Sequence, residues 1–199
     1  MSSSIDVGWL RYASIEIANA QRTLSYLSTF LPRATVNTSG DCVCDAVDEG
    51  PYVSPASDDA PWYESTRPES ADFYGLLIDR MELTGGLDRD VVQRATGGAS
   101  VGPQILRGRT LTVEASMWAG SLPAMRWGEL WLQEARSCGC GGCGLGDVCV
   151  LPACPPADPS ICPDDYFRVI IDAGLVGGGI VVGAPIADRG VLRTVAFQL

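Results

Sequence analysis

Histidine and lysine are both absent, and all 14 basic residues are arginine. Their absence excludes Ser-His-Asp and Cys-His catalysis, lysine Schiff bases, histidine-ligated metals and the usual near-neutral pH switch. Chemistry is left to carboxylates, thiols, tyrosines and arginines. A GC-rich coding sequence, which favours Arg, Ala, Gly and Pro codons, accounts for the missing lysine, so the gap speaks of source more than of mechanism. Positive charge is scarce: the formal net charge is -10 and the pI is near 4.3. Such a chain repels phosphate backbones and anionic headgroups, so neither nucleic acid nor a membrane surface is an expected partner. Long apolar runs are missing too. The longest, Ala173 to Pro185, is rich in glycine and short of the roughly 20 residues a bilayer-crossing helix needs; it reads as a glycine-rich strand pair. The opening residues, Met1 to Asp6, have neither the basic nor the apolar region of a signal peptide, so standard secretion is not expected.

What is present suits a folded protein. A length of 199 residues, 46% of them hydrophobic, bounds the chain to one domain with a real core, residues 1–199, carrying elaborations. Ile15 and Ile17 flank Glu16, and Leu24 and Leu27 follow among Thr, Ser and Tyr, which predicts half-buried strands in an early hairpin rather than a helix. Residues 37–72 hold nine acidic residues against one arginine, Arg67, with prolines at 51, 55, 61 and 68. This is an acidic, proline-punctuated excursion, read as a solvated loop. Asp41, Asp45, Asp48 and Glu49 do not match a calcium-binding EF-hand loop.

Phe73 to Ile78 is an apolar run of strand length, and Gly85-Gly86 and Gly97-Gly98 predict turns. From Thr110 to Ala119 apolar residues (Leu111, Val113, Ala115, Met117, Ala119) alternate with polar ones, predicting a strand with one core face. Trp118 falls on the polar face, where it packs under a covering element or marks a subunit contact. The pattern then changes to that of a helix from about Pro123 to Arg136. Arg126, Glu129, Gln133 and Arg136 share one face, and Trp127, Leu130, Trp131, Leu132 and Ala135 fill the rest. Ser121 is the candidate N-cap. Further strands are predicted at Phe167–Asp172 and Thr194–Leu199. A strand pattern running to Leu199 fits a chain that continues into a longer protein, of which this would be the N-terminal part, or else an ordered end paired in a sheet.

Eight cysteines fall in two groups, Cys42 and Cys44, then Cys138, Cys140, Cys143, Cys149, Cys154 and Cys162. The stretch from Cys138 to Cys149 places thiols on a glycine backbone that can wrap an ion, so Cys138, Cys140, Cys143 and Cys149 are candidate ligands for zinc or an iron–sulfur cluster. Cys42, Cys44, Cys154 and Cys162 are alternative ligands or disulfide partners. The spacing matches neither a zinc ribbon nor a ferredoxin, and an even cysteine count in a Gly- and Pro-rich segment also suits stapled loops.

Three stretches taken together resemble a family: Pro61-Trp62-Tyr63 with Arg67-Pro68-Glu69-Ser70-Ala71-Asp72-Phe73, then Arg107-Gly108-Arg109-Thr110-Leu111-Thr112-Val113, then Ala124-Met125-Arg126-Trp127-Gly128-Glu129-Leu130-Trp131-Leu132, followed by the Cys/Gly-rich segment. In this order they are similar to minor or distal tail proteins of long-tailed bacteriophages infecting high-GC Gram-positive bacteria. The resemblance covers about residues 61 to 150. It implies a mainly β, β-sandwich-like fold with one amphipathic helix on a sheet and a cysteine-rich insertion at 137–164. It also implies a non-enzymatic virion protein that forms a ring, six-fold by the same resemblance, and joins the tail tube to the tip or baseplate. Assembly in the reducing cytoplasm of a bacterial host would favour metal over disulfides for the cysteines. Two other classes compete. One is a cysteine-rich extracellular binding or adhesion module that uses the acidic loop. The other is a cell-wall hydrolase working with two acids such as Glu64 and Glu69.

Overall fold

The computed structural model describes residues 3–5, 8–30, 52–93, 97–137, 146–151, 168–173, 180–183, 186–187 and 191–199. Strands dominate the described residues and form two antiparallel sheets accompanied by two helices, which bears out the mainly β expectation. The larger sheet runs β1 (Ser3–Ile5), β4 (Phe73–Gln93), β5 (Ala99–Ala119), β10 (Val191–Gln198), β8 (Val181–Val182), with β9 (Ile186–Ala187) also on β10. The smaller runs β3 (Ile15–Asn19), β2 (Trp9–Tyr12), β6 (Gly146–Val150), β7 (Arg168–Ala173).

The alternation in β5 sets the inner face of the large sheet. Leu111, Val113, Ala115, Met117 and Ala119 are all buried, and on β10 Val195 and Phe197 stand opposite Ala115 and Val113. Leu199 continues the ladder, exchanging two 2.9 Å backbone hydrogen bonds with Leu111. The small sheet adds Leu10, Tyr12, Ile17, Val148 and Val150 to the same core.

Helix α2 (Leu122–Arg136) begins as expected: Ser121 Oγ accepts from the Ala124 N–H at 3.3 Å, a side-chain cap for an orphan donor. Its buried face departs from the expectation at both ends of the hydropathy scale. Leu130 is 60% exposed, whereas Arg136, assigned to the polar face, is 3% exposed. The Arg136 guanidinium lies 4.8 Å over the Phe197 ring and donates to the Gln198 carbonyl at 3.4 Å, so its flat face is packed like an aromatic. Arg193 on β10 donates to Glu129 on the same helix.

Several expectations are overturned. Leu24 and Leu27 are not on a strand: the early hairpin is β2–β3, and residues 20–30 form helix α1 (Ala20–Phe30). Asn19 Oδ1 accepts from the Arg22 N–H at 3.1 Å, an N-cap that the strand reading missed. Burial at 22, 23, 26 and 27 follows helical spacing. The described residues therefore contain two helices where one was expected. Gly85-Gly86 is no turn; it lies inside β4, where the register shifts and Gly85 takes φ +119°, a bulge in a continuing ribbon. Gly97-Gly98 does sit between β4 and β5. Of the stretch from Ala173 to Pro185, residues 174–179, 184 and 185 lie outside the described residues; Ala173 closes β7 in the small sheet and Val181–Val182 belongs to the large one. In β7, Val169 is 56% exposed and does not serve the core.

Gly128 is where α2 meets the sheet most closely: a Cβ there would lie 2.3 Å from Phe73 Cε2. Alanine would raise helix propensity by up to about 1 kcal/mol but force the Phe73 ring to move, costing about 1–3 kcal/mol. Gly128→Ala is therefore expected to destabilise the protein, read as a lower urea midpoint at unchanged slope.

Candidate functional site

Half of the acidic excursion turns out to be structural. Residues 37–51 lie outside the described residues, but the segment from Tyr52 onward is a strap across the core, with Ala60, Trp62 and Ser70 buried. It is not the solvated loop its charge suggested. A 3-10 turn over Pro68–Asp72 ends it, and the Ser70 hydroxyl latches it by accepting from the Glu64 N–H at 3.0 Å while lying 2.9 Å from the Glu64 carbonyl.

Trp62 is the hub. Its indole N–H donates to the Phe73 carbonyl at 2.8 Å, and its ring stands edge-on to Tyr26, Phe73 and Trp131 at 6.5, 5.3 and 5.5 Å between centroids. From α2, Trp127 donates to the Trp62 carbonyl at 2.9 Å and Trp131 to the Pro61 carbonyl at 3.1 Å. The strap, the first residue of β4 and α2 are thus tied by three indole donors. Gly75, at φ +111°, makes room: a Cβ there would sit 2.8 Å from Trp62 Cη2.

Beside this hub, the strap, β3 and α2 enclose a cleft of about 750 Å³. Ile15, Pro61 and Trp131 give it apolar walls. Glu16 within it is occupied: it pairs with Arg22 at 2.9 Å and accepts from Trp9 and Asn19 at 3.3 and 3.2 Å. Three further carboxylates, Asp58, Asp59 and Glu134, line the cleft. Asp58 also closes the strap's turn, accepting from the Val53 and Ser54 N–H groups at 2.8 and 2.9 Å.

Glu64 and Glu69, the pair considered for hydrolysis, share one arginine. Arg67 Nε lies 3.2 Å from Glu64 and its Nη1 3.9 Å from Glu69, with the guanidinium 4.9 Å over the Trp127 ring. This arrangement pins the strap to α2. Trp118 is half-buried against the core, facing Gly75 and Leu192 across the ladder, and its buried indole N–H has no acceptor among the described residues.

Of the cysteines, only Cys149 is among the described residues. It sits in β6, 6% exposed, between Arg11 and Val169, without a disulfide to any described residue. Cys138, Cys140, Cys143, Cys42, Cys44, Cys154 and Cys162 lie outside them. Among the described residues no group of three or more Cys, Asp or Glu could hold a metal, so a thiolate centre has to draw on those other cysteines. No described helix is long and apolar enough to cross a membrane.

The feature that sequence reasoning missed is the β4–β5 arm. Among the described residues β1 pairs with β4 at Met81–Leu83, and β10 pairs with β5 at Thr112–Ala119. Beyond those, β4 and β5 continue as a two-stranded ribbon, its register running to Gln93 opposite Ala99. At roughly 3.3 Å per residue the ten positions from Thr84 to Gln93 span about 33 Å. Gly85-Gly86 concealed it, because it read as a turn where the strand in fact continues.

No known family profile and no curated protein matches this chain.

Replacing Trp62 by Ala is expected to cost about 3–5 kcal/mol, and Trp127→Phe, which removes one indole donor, about 1 kcal/mol, both by urea denaturation. Burial pushes the Tyr26 phenol well above the tyrosine range; Arg22 opposes the shift and Asp58 adds to it. A raised folded pKa means that this stability is full below the ordinary value of 10.0 and is lost as pH climbs from there towards the folded value. Tyr26→Phe is expected to move the alkaline unfolding midpoint upward, followed by far-UV circular dichroism; an unchanged midpoint would refute the assignment.

Proposed function

We propose that the protein is a structural subunit of a phage tail, a β-sandwich-like domain of the distal-tail type. It assembles with copies of itself into a six-fold ring that joins the tail tube to the tip or baseplate. It is built in the host bacterial cytoplasm and resides in the virion. The arm carries this reading. A two-stranded ribbon is marginal by itself in water, and ordering each residue costs about 1–2 kcal/mol of backbone entropy. Strands of 21 residues each that outrun their described neighbours by about half their length are stabilised by burying the excess against another subunit. The Val101 side chain near the tip, 56% exposed, is available for such a contact.

The resemblance also supports the reading at its strongest motifs. Pro61-Trp62-Tyr63 and the Trp127–Trp131 helix meet at one hub, so they form one structural unit rather than separate coincidences of sequence. On this reading Cys138, Cys140, Cys143 and Cys149, with Cys42, Cys44, Cys154 and Cys162 as alternative ligands or disulfide partners, hold zinc or an iron–sulfur cluster through thiolates.

Two measurements test this. Sedimentation velocity is expected to show a closed oligomer, and replacing residues 86–107 with a two-residue Asn-Gly turn is expected to give a monomer with the same thermal unfolding of the body. A full-length chain that remains monomeric at high concentration would defeat the ring. Elemental analysis of protein purified without oxygen is expected to find stoichiometric zinc or iron; eight freely titrating thiols and no metal would remove the thiolate centre.

A further inference from the structure

We propose that two copies of the chain pair through the exposed face of α2, antiparallel about a two-fold axis at Leu130, with Arg126 of each set against Glu134 of the other. The face is a single ridge. Leu122, Arg126, Leu130 and Glu134 recur every four residues and all four are exposed, so they lie one above another along one side of the helix. Leu122 and Leu130 are more than half exposed, and with Pro123 and the half-buried Trp127 they line a groove of about 440 Å³ beside the strap. The other two charges of the helix are occupied: Glu129 accepts from Arg193, and Arg136 rests on Phe197 and donates to the Gln198 carbonyl. Arg126 and Glu134 have no ion pair among the described residues. Eight residues apart, about 12 Å along the axis, they are too distant to serve each other, and the neighbour four residues inward is Leu130 for both.

The order of these residues dictates the occupant. Arg126 and Glu134 stand four positions to either side of Leu130, about 6 Å each way. A two-fold contact brings like to like on its axis and exchanges positions equidistant from it. A second α2 crossing antiparallel at Leu130 therefore meets leucine with leucine and each arginine with the other copy's glutamate. Parallel alignment would set Arg126 on Arg126 and Glu134 on Glu134 and is opposed. The ridge is thus complementary to itself in one orientation, as a contact between two copies of this chain requires. Such a pair saturates at two, and a ring built on heterologous contacts has no such axis between neighbours. The contact therefore goes beyond the ring, joining one assembly to another whatever the number of copies in each. A helix of 15 residues is about 22 Å long, and one face of it falls short of the roughly 800 Å² per partner of a stable interface. A dilute lone subunit accordingly stays unpaired, whereas several pairs acting at once between two closed assemblies hold them together.

Charge exchange in the full chain, followed by sedimentation velocity over a concentration series, tests this. Wild type is expected to double in mass as its concentration rises. Arg126→Glu alone sets two acids together at each end of the contact, and Glu134→Arg alone two arginines; each is expected to weaken the doubling at least tenfold. Leu130→Gln, which strips both copies at the axis, does the same. Two combinations restore it: an equimolar mixture of the two single charge variants, which then pair across the mixture, and the double variant, whose reversed charges match again in itself. All three side chains are exposed, and each reversed charge has the sign favoured at the nearer helix end. Unchanged far-UV circular dichroism is the control; a charge variant that fails it is replaced by Arg126→Gln or Glu134→Gln, which weaken the doubling in the same direction. Doubling that every variant retains overturns the α2 contact, as does a mixture or a double variant that stays undoubled. The size of the undoubled unit judges the ring separately: a monomer that doubles to a dimer sinks the ring and leaves this pairing standing, whereas a closed oligomer that never doubles sinks the pairing and leaves the ring.

Discussion

The hydrogen bond from the Trp62 indole to the Phe73 carbonyl is the contact on which the rest of the body hangs. Phe73 opens β4 opposite Ala119, the last residue of β5, so this one carbonyl marks the end of the large sheet, the root of its longest hairpin and the level at which α2 departs. A buried carbonyl at such a junction needs a donor, and the strap supplies it from a ring that also fills the space between sheet and helix. The strap is held in turn by α2, through Trp127 and Trp131. Each element is thus fixed by the next in a closed circuit, and loosening any member exposes both a large aromatic surface and an unpaired polar group.

Much of this architecture was legible in the sequence, and what was not has identifiable physical causes. The strand over Thr110–Ala119 and the helix after Ser121 were readable because alternation and capping are local signals. Helix α1 was not. Its Thr, Ser and Tyr content argues for a strand, and only tertiary burial of Arg22, Thr23, Tyr26 and Leu27 overrides that preference. Arg136 looked like a surface charge because a sequence cannot reveal that a phenyl ring and a carbonyl wait for it. The strap was concealed by its charge: Asp58, Glu64 and Glu69 describe its outer side, whereas Trp62 and Ser70 decide where it lies. Of the cysteine set, Cys149 proves to be a buried strand residue, a context that thiol spacing does not encode.

The missing histidine and lysine acquire a structural sense beside this. Arginine does the work of every basic side chain here, and in each of several places its flat face rests on a ring: Arg11 on Trp9, Arg22 on Tyr52, Arg67 on Trp127, Arg136 on Phe197. Lysine could supply the charge at these positions but not the planar stacking. A coding bias toward arginine therefore enters the packing itself, since guanidinium planes serve as additional core and rim surface laid on aromatic rings.

The β5–β10 ladder has a mechanical meaning as well. Its eight residue pairs, from Val191 opposite Ala119 to Gln198 opposite Thr112, lie parallel to the direction in which the arm projects. A pull on the arm along its axis therefore loads these hydrogen bonds in shear, all together, rather than peeling them one after another. Gly85 and the bulge beside it sit between ladder and arm, so sideways forces bend the ribbon at that corner before they reach the ladder. The molecule is stiff to tension and yielding to tilt.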